Sequence, residues 1–409
     1  MQGNLLIMEL TTAGGIGDGE ERIQALGIEG ISMLKAIIED ALRGGFNVHA
    51  IIMEGIPNEN LLEHERLEWH VVGCSEDVFG LMQDLLNRMD FAFLIAPEFG
   101  NFLYSVTRLV EDSMAILLTH GSKCIKNASN KKNSLKVLFN YGISVPKTWF
   151  LNQPPRNIPL PCVIKPNHGA GCVGVFKIGS LKELKDAEKE LINEGFPVHD
   201  IIIQEFIPGK PLSASAIGFR EKCHFLGINH QEVYIKGFGE GVSKYSGGMV
   251  GPVDPNLHEE CSNIAQLISQ KFNMEGYFGY DFILTPDRKV FVVEINPRLT
   301  TPFTGYNRLM SNSMLEVIAR NKLDRENIYP LMENNIFKIY RMVKIPSNVL
   351  KDGEIEKIQK KYDLDQVSKL DLGGQMIDVF VFSTNRNQAT ARMNLHAAIQ
   401  QIEELSKCK

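Results

Sequence analysis

The first hundred or so residues alternate short apolar runs with helical ones, and that alternation constrains the fold more than any other feature of the chain. NLLIMEL is an apolar strand that ends in the glycine-rich turn TTAGGIGDG. RIQALGIEGISMLKAIIEDALRGG then sets Ile31, Leu34, Ile38 and Leu42 along one helical side, with Gly44 and Gly45 as the stop. FNVHAIIME is a second strand, EDVFGLMQDLLNRM a helix and FAFLIAPE a third strand. Strand and helix in turn predict an open, mostly parallel α/β sheet. That unit closes near Cys124.

A chain of 409 residues is too long for one core, so two to four units are expected. The formal charge of −6, with no long basic block, argues against a nucleic-acid partner. No apolar run is long enough for a membrane span, and the start MQGNLLIMEL reads as a strand and not as a signal peptide. Seven cysteines without a C-x-x-C pair fit a reducing compartment and give no zinc signature. A cytoplasmic location is expected.

A second rhythm begins at NKKNSLKVLFNYGISVPKTWF, a helix with a Gly142 stop and a proline-marked strand. PCVIKP, VGVFKI, DIIIQEFIPG, LSASAIGF and CHFLGINHQEVYI read as strands, and SLKELKDAEKELINEG and EECSNIAQLISQKF as helices. GYFGYDFIL and VFVVEIN form a hairpin around TPDRK. Beyond about Arg320, IFKIYRMVKI, QMIDVFVFS and the helix NQATARMNLHAAIQQIEEL make a small α+β appendage.

The hairpin carries the densest chemistry. By strand alternation Val292, Glu294, Asn296 and Arg298 share one face, and Phe291, Val293 and Ile295 the other. With Pro286–Lys289 as a four-residue turn, Asp281 falls directly opposite Glu294. Opposed like charges with Cβ atoms about 5 Å apart are destabilising unless a cation lies between them. Asp281, Glu294 and Asn296 offer hard oxygen ligands suited to Mg²⁺. The alternative, which the hairpin alone favours less, is an Asp–Glu–Arg ion cluster on a solvated face.

CVIKPNHGAGCVGVFKI adds a lysine, Lys165, at the end of an apolar strand, followed by Gly169, Gly171 and Gly174. Small residues let backbone N–H groups approach a phosphate, and the lysine supplies a point charge. The spacing is not that of a Walker A loop. A glycine-rich hairpin with a solvated lysine is the plainer reading. His168 reads as a polar loop residue, and Cys172 receives no catalytic role. In IIIQEFIPG, Gln204, Glu205, Phe206 and Ile207 could present polar edges to an adenine.

Taken in order, these pieces over residues 125–320 resemble the ATP-grasp catalytic module. The resemblance implies nucleotide held between two α+β subdomains and a carboxylate joined to an amine through an acyl phosphate. It implies Lys131 and Lys165 as the nucleotide-binding lysines and Pro166–Gly174 as the mobile glycine loop. Gln204, Glu205, Phe206 and Ile207 match the adenine hinge, Asp281, Glu294 and Asn296 the ligands of two Mg²⁺ (or Mn²⁺), and Arg298 the catalytic basic residue. EINPRLTTPFTG, LIAPEFGNFLYSVTRLVE and the opening segment are similar to the subgroup containing the tyramine–L-glutamate ligase of methanofuran biosynthesis. The expected units are an N-terminal pre-ATP-grasp domain over 1–124, a small subdomain with the glycine loop over 125–203, a large subdomain with the metal site over 204–325, and the appendage over 326–409.

The implied reaction forms an amide from a carboxylate (glutamate, with tyramine as amine) and releases ADP and phosphate. Small-molecule acid and amine substrates, no nucleic acid and no membrane are the implied partners, with a homodimer left open. The first domain is expected to complete the substrate pocket through Gly14-Gly15 and Glu98. Many family members hold ribose with an acidic residue four positions after the hinge; here that position is Pro211, so ribose must be held otherwise. Two other readings stay open: a ligase of two amino acids or of another acid–amine pair, and a non-catalytic nucleotide-binding regulator. A dinucleotide-binding reading of GGIGDG lacks the G-x-G-x-x-G spacing.

Overall fold

The computed structural model describes residues 3–15, 20–56, 61–73, 77–219, 221–251, 255–324, 329–332, 336–347, 349–350, 352–370 and 376–407. Part of the glycine-rich turn, residues 16–19, and the expected boundary between 325 and 326 lie outside these.

β1 (Asn4–Glu9), β2 (Asn47–Met53), β3 (Leu67–Val72), β4 (Phe91–Ile95) and β5 (Ile116–Leu117) form the expected parallel sheet, ordered β3-β2-β1-β4-β5. β1 is continuously apolar because both its faces are covered. Leu5 and Ile7 meet α1 (Glu20–Arg43) on one side, and Leu6 and Met8 meet α2 (Val78–Leu86) and α3 (Phe102–Glu111) on the other. Ile31, Leu34 and Ile38 are fully buried as their spacing predicts, and Gly45 ends α1 in the left-handed region. The sequence reading did not separate β3, LEWHVV, because an edge strand with polar residues on one face lacks the apolar run of a central strand.

α4 (Ser122–Ala128) and α5 (Lys131–Asn140) lead into a four-stranded antiparallel sheet. Its strands are β6 (Thr148–Phe150), β7 (Cys162–Pro166), β8 (Phe176–Ile178) and β9 (Ile201–Glu205), ordered β6-β9-β7-β8. α6 (Leu181–Asn193) covers one face through Leu184, Ala187 and Leu191.

A larger antiparallel sheet begins with β10 (Lys210–Phe219), β11 (Lys222–Tyr234), β12 (Lys244–Val250), β13 (Glu275–Leu284) and β14 (Val290–Asn296). Three helices accompany it: α7 (Pro255–Phe272), α8 (Phe303–Leu309) and α9 (Met314–Asp324). The tail then adds β15 (Phe337–Pro346), α10 (Asp352–Lys361), β16 (Gln366–Leu370), β17 (Met376–Asn385) and α11 (Gln388–Lys407). The expected α+β content is present, but the tail is not set apart. Its strands extend the same sheet to eight, in the order β14-β13-β10-β11-β12-β15-β17-β16.

β12 makes the join, and its sequence, KYSGGMV, hid it. Gly247 has φ +136, and a Cβ there would lie 2.2 Å from the Tyr340 carbonyl oxygen on β15. The glycine that weakens the strand signal is what lets the two backbones meet.

The hairpin holds a second correction. The turn runs over Thr285–Lys289, closed by Thr285 N–H donating to the Lys289 carbonyl at 3.0 Å. It is therefore one residue longer than expected. A bulge between Asp281 and Phe282 on the ladder leaves Val293 as the extra residue, which restores Asp281 opposite Glu294. The bulge also breaks the alternation. Val292 is buried in the core beside Ile295, while Val293 joins Glu294, Asn296 and Arg298 in lining a cleft.

Two long-range contacts lock the units together. Asp40 on α1, fully buried, accepts from Ser313 Oγ and from the Met314 and Leu315 N–H groups at 2.9–3.0 Å, capping α9. His120, fully buried, accepts from the Glu275 N–H at Nδ1 (3.0 Å) and donates from Nε2 to the Tyr277 carbonyl (2.7 Å). Among the described residues no helix is long and apolar enough to cross a membrane.

Burial holds the His120 imidazole far below its ordinary value of 6.5, at about 4. A depressed imidazole stabilises the fold above its unfolded value, and that contribution drains away as pH falls from about 6.5 toward about 4. Stability should therefore drop by about 2 kcal/mol from this group between about pH 7 and pH 5. Urea melts of wild type and His120→Gln check it: the variant should be weaker at pH 7 with a flatter pH slope. Equal slopes would remove His120 as the cause.

Candidate functional site: a charged cleft between two sheets

A cavity of about 390 Å³ lies between the four-stranded sheet and the β10–β14 half of the larger one. Of the thirteen residues assigned from the sequence to nucleotide, metal or catalysis, twelve line it; Gly174 does not, nor do Gly14, Gly15 and Glu98 of the first domain. Gly174 has φ +68, and a Cβ there would meet Leu191 of α6 at 2.8 Å, so it serves loop packing.

Lys131 opens α5, whose N-cap Asn130 accepts from the Asn133 N–H. This start drives the Lys131 side chain into the cleft, where Nζ donates to the Gly169 carbonyl at 3.0 Å and lies 3.4 Å from Glu294 Oε2. Lys165, the fourth residue of β7, comes to 3.8 Å from the same oxygen. Burial lowers the Lys165 pKa, and Glu294 opposes that shift. The loop between β7 and β8 turns through Gly171 and Cys172, both in the left-handed region. His168 is tied to Asp200 at 2.5 Å, as befits a loop anchor. Burial pushes the Cys172 thiol up to about 12, which removes it as a nucleophile.

Gln204 and Glu205 end β9. Gln204 donates to Thr148 Oγ1 at 3.1 Å, and Glu205 accepts from the Lys147 N–H at 3.2 Å. Phe206 and Ile207 follow on the rim, with Lys177 Nζ 4.3 Å from the Phe206 ring centre. Pro211 also lines the cleft.

The carboxylates sit on the opposite wall. Asp281 accepts from Gln231 at 2.9 Å and from the Asn296 amide at 3.1 Å, yet burial and the neighbouring Glu294 charge still raise its pKa. Glu294 is held low: burial acts to raise it, but Lys131 and Lys165 together outweigh that. One carboxylate is thus charged and the other inclined to keep a proton, as expected of a buried pair that a cation could bridge. The donors are carboxylate and amide oxygens. That set fits Mg²⁺ or Mn²⁺ and not a thiolate-seeking metal.

Arg298 donates from Nε to Glu98 Oε1 at 2.9 Å. Glu98, from the loop after β4, is buried, and its other oxygen has no hydrogen-bond partner among the described residues. Glu98 therefore acts through Arg298. Gly14 and Gly15 do not line the cleft.

The sequence reading missed Glu29, Gln231, Lys177 and Tyr245, which also line it. Glu29 lies on α1 and accepts from Thr301 Oγ1 at 2.5 Å, with its pKa raised by burial. A helix read as a packing element gave no reason to single it out. Gln231, Val233 and Ile235 line the cleft in period-two alternation, a signal that was present but had no face assigned to it.

A cation binding between these carboxylates must displace the proton that Asp281 favours, so affinity should rise with pH. Mn²⁺ titrations at about pH 6 and about pH 8 should show several-fold tighter binding at the higher pH. In Asp281→Asn that dependence should vanish. A pH-independent wild type would overturn the shared-proton description.

Residues 128–302 match the ATP-grasp domain, and residues 58–125 match the pre ATP-grasp 3 domain. An uncharacterized protein of Methanocaldococcus jannaschii is 30% identical over 251 residues, 60% of this chain and 60% of its own length. The tyramine–L-glutamate ligase of Methanocaldococcus fervens is 27% identical over 325 residues, 79% of this chain and 95% of its own. Among solved structures, the L-amino acid ligase from Bacillus licheniformis superposes with TM-score 0.68 over 97% of both chains at 14% identity, a likeness of fold. With the lysines, glycine loop and carboxylates gathered in one cleft over the matched region, residues 128–302 form an ATP-grasp domain.

Proposed function

We propose that this protein uses ATP to join a carboxylate, glutamate, to an amine, tyramine, as a γ-glutamyl amide, through an acyl phosphate. The observation that supports it best is the convergence of Lys131, Lys165, Asp281, Glu294 and Arg298 on one cleft from four segments of the chain. The similarity to a tyramine–L-glutamate ligase over most of both chains supports the choice of substrates.

Phosphoryl transfer needs positioning and charge neutralisation more than covalent help. In the proposed reaction Lys131 and Lys165 hold the α- and β-phosphate oxygens, while Gln204 to Ile207 face the base. Mg²⁺ held by Asp281, Glu294 and Asn296 would supply neutralising charge at the phosphates. A carboxylate oxygen of the acid attacks the γ-phosphorus and the bridging P–O bond breaks, giving acyl phosphate and ADP. The amine nitrogen then attacks the acyl carbon, phosphate leaves, and the amide remains after loss of a proton. Arg298, fixed in direction by Glu98, offers its guanidinium to the transferring phosphoryl group and then to the oxyanion. Glu29, a carboxyl group on the first domain's helix, lines the cleft where an ammonium would enter. Its raised pKa suits it to take the ammonium proton. The glycine loop would exclude water from the acyl phosphate.

Product release with ATP, Mg²⁺ and L-glutamate, with and without tyramine, checks the reading. ADP and phosphate should appear only with both substrates, with a glutamyl-tyramine mass. AMP would overturn the acyl-phosphate route; turnover with other acids or amines alone would overturn the substrates. Arg298→Ala should lower kcat by on the order of 100- to 1,000-fold with the fold intact. Glu294→Gln should do at least as much, and near-normal activity would remove the assignment of Glu294.

A further inference from the structure

A second cluster of ligating side chains lies outside the cleft, on the edge of the parallel sheet. β2 and β3 run in register with His49 opposite Glu68 and Ile51 opposite His70. Paired residues share a face and so do residues two apart on one strand, so His49, Glu68 and His70 project from the same side. None of the three lines the cleft.

Their ligating atoms have closed on one another. His49 Nδ1 is 3.1 Å from His70 Nε2 and 3.3 Å from Glu68 Oε2, and His70 Nε2 is 3.7 Å from Glu68 Oε1. A tetrahedral ion with ligands at about 2.0–2.1 Å holds its donors about 3.3–3.4 Å apart. The His–His and His49–Glu68 Oε2 separations fall close to that value, and His70 lies somewhat farther, from the other Glu68 oxygen, so a small turn of the exposed carboxylate would complete the set. We infer that His49, Glu68 and His70 form a binding site for a divalent transition-metal ion of the zinc class. Two imidazoles and one carboxylate are a donor set that suits zinc, and they leave the fourth position to solvent.

The surroundings agree with the geometry. Both histidines are mostly buried, while the Glu68 side chain is 62% exposed. Ions could therefore enter from the carboxylate side. Burial lowers both imidazole pKa values, and Arg88 lowers them further against the pull of Glu68. Without a metal the same atoms make one His–His hydrogen bond beside an exposed carboxylate. With it, the ion would pin the edge strand β3 to β2.

Zinc titration of the full chain by calorimetry, with cobalt(II) absorbance to report geometry, tests this. Wild type should bind one ion that gives a tetrahedral cobalt spectrum with no thiolate charge-transfer band, apart from any ion held in the cleft, and zinc should raise Tm. Binding should weaken by on the order of 100-fold in His49→Ala and His70→Ala and about 10-fold in Glu68→Gln. It should persist in Glu294→Gln, which separates this site from the cleft. Zinc affinity unchanged in the folded variants, a thiolate band, or wild-type binding weaker than on the order of 100 μM would overturn the site. Glu68→Gln alters an exposed side chain, so it reports even where a histidine variant does not fold.

Discussion

Two carboxylates and two lysines meet at the bottom of one cleft, and the geometry around them follows from keeping that group balanced. Glu294 lies within 4 Å of both Lys131 and Lys165, while Asp281, directly across the hairpin, leans on the amides of Gln231 and Asn296. Buried charges persist only when paired or hydrogen-bonded. The cleft therefore needs α5, β7, β11, β13 and β14 held in fixed relation. Removing one lysine would leave Glu294 short of countercharge, and removing Glu294 would set two buried ammonium groups against each other.

Helix α1 supplies much of that fixed relation. Ile28, Ile31, Leu34 and Ile38 share one continuous core with Leu5 and Val48 of the first sheet, Phe303 and Tyr306 of α8, and Tyr340, Phe380 and Phe382 of the tail. A helix buried on several sides is apolar beyond a single stripe. Asp40 near its end caps α9, and Glu29 in its middle reaches the cleft. The tail belongs to this arrangement: its strands extend the large sheet, and their aromatic side chains pack in the α1 core.

The register of the hairpin shows how sequence reasoning works and where it fails. Asp281 opposite Glu294 was legible, but it is reached by a five-residue turn and a compensating bulge, two departures that cancel at the carboxylates and not at Val292. Turn length and bulge depend on how β13 and β14 pack against their neighbours, and no local pattern encodes that. β12 was illegible for a related reason: glycine required by a close strand approach looks, in sequence, like a loop. Glu29 carried no local signal because its partner, Thr301, is 272 residues away, and Glu98 was picked out without its partner, Arg298, which is 200 residues away.

By itself the sequence determined the parallel α/β beginning, the helix stops and the order of lysine, glycine loop and carboxylates on which the resemblance to the ATP-grasp module rests. These are properties of periodicity and spacing, which near neighbours along the chain fix. Only the tertiary structure decided that the tail extends the large sheet, that α1 links three sets of elements, that Glu98 aims Arg298, and that His49 and His70 meet beside Glu68. Each of these is a meeting of segments distant in sequence. It is set by which faces remain to be buried once the local elements have formed, and that quantity exists only in three dimensions.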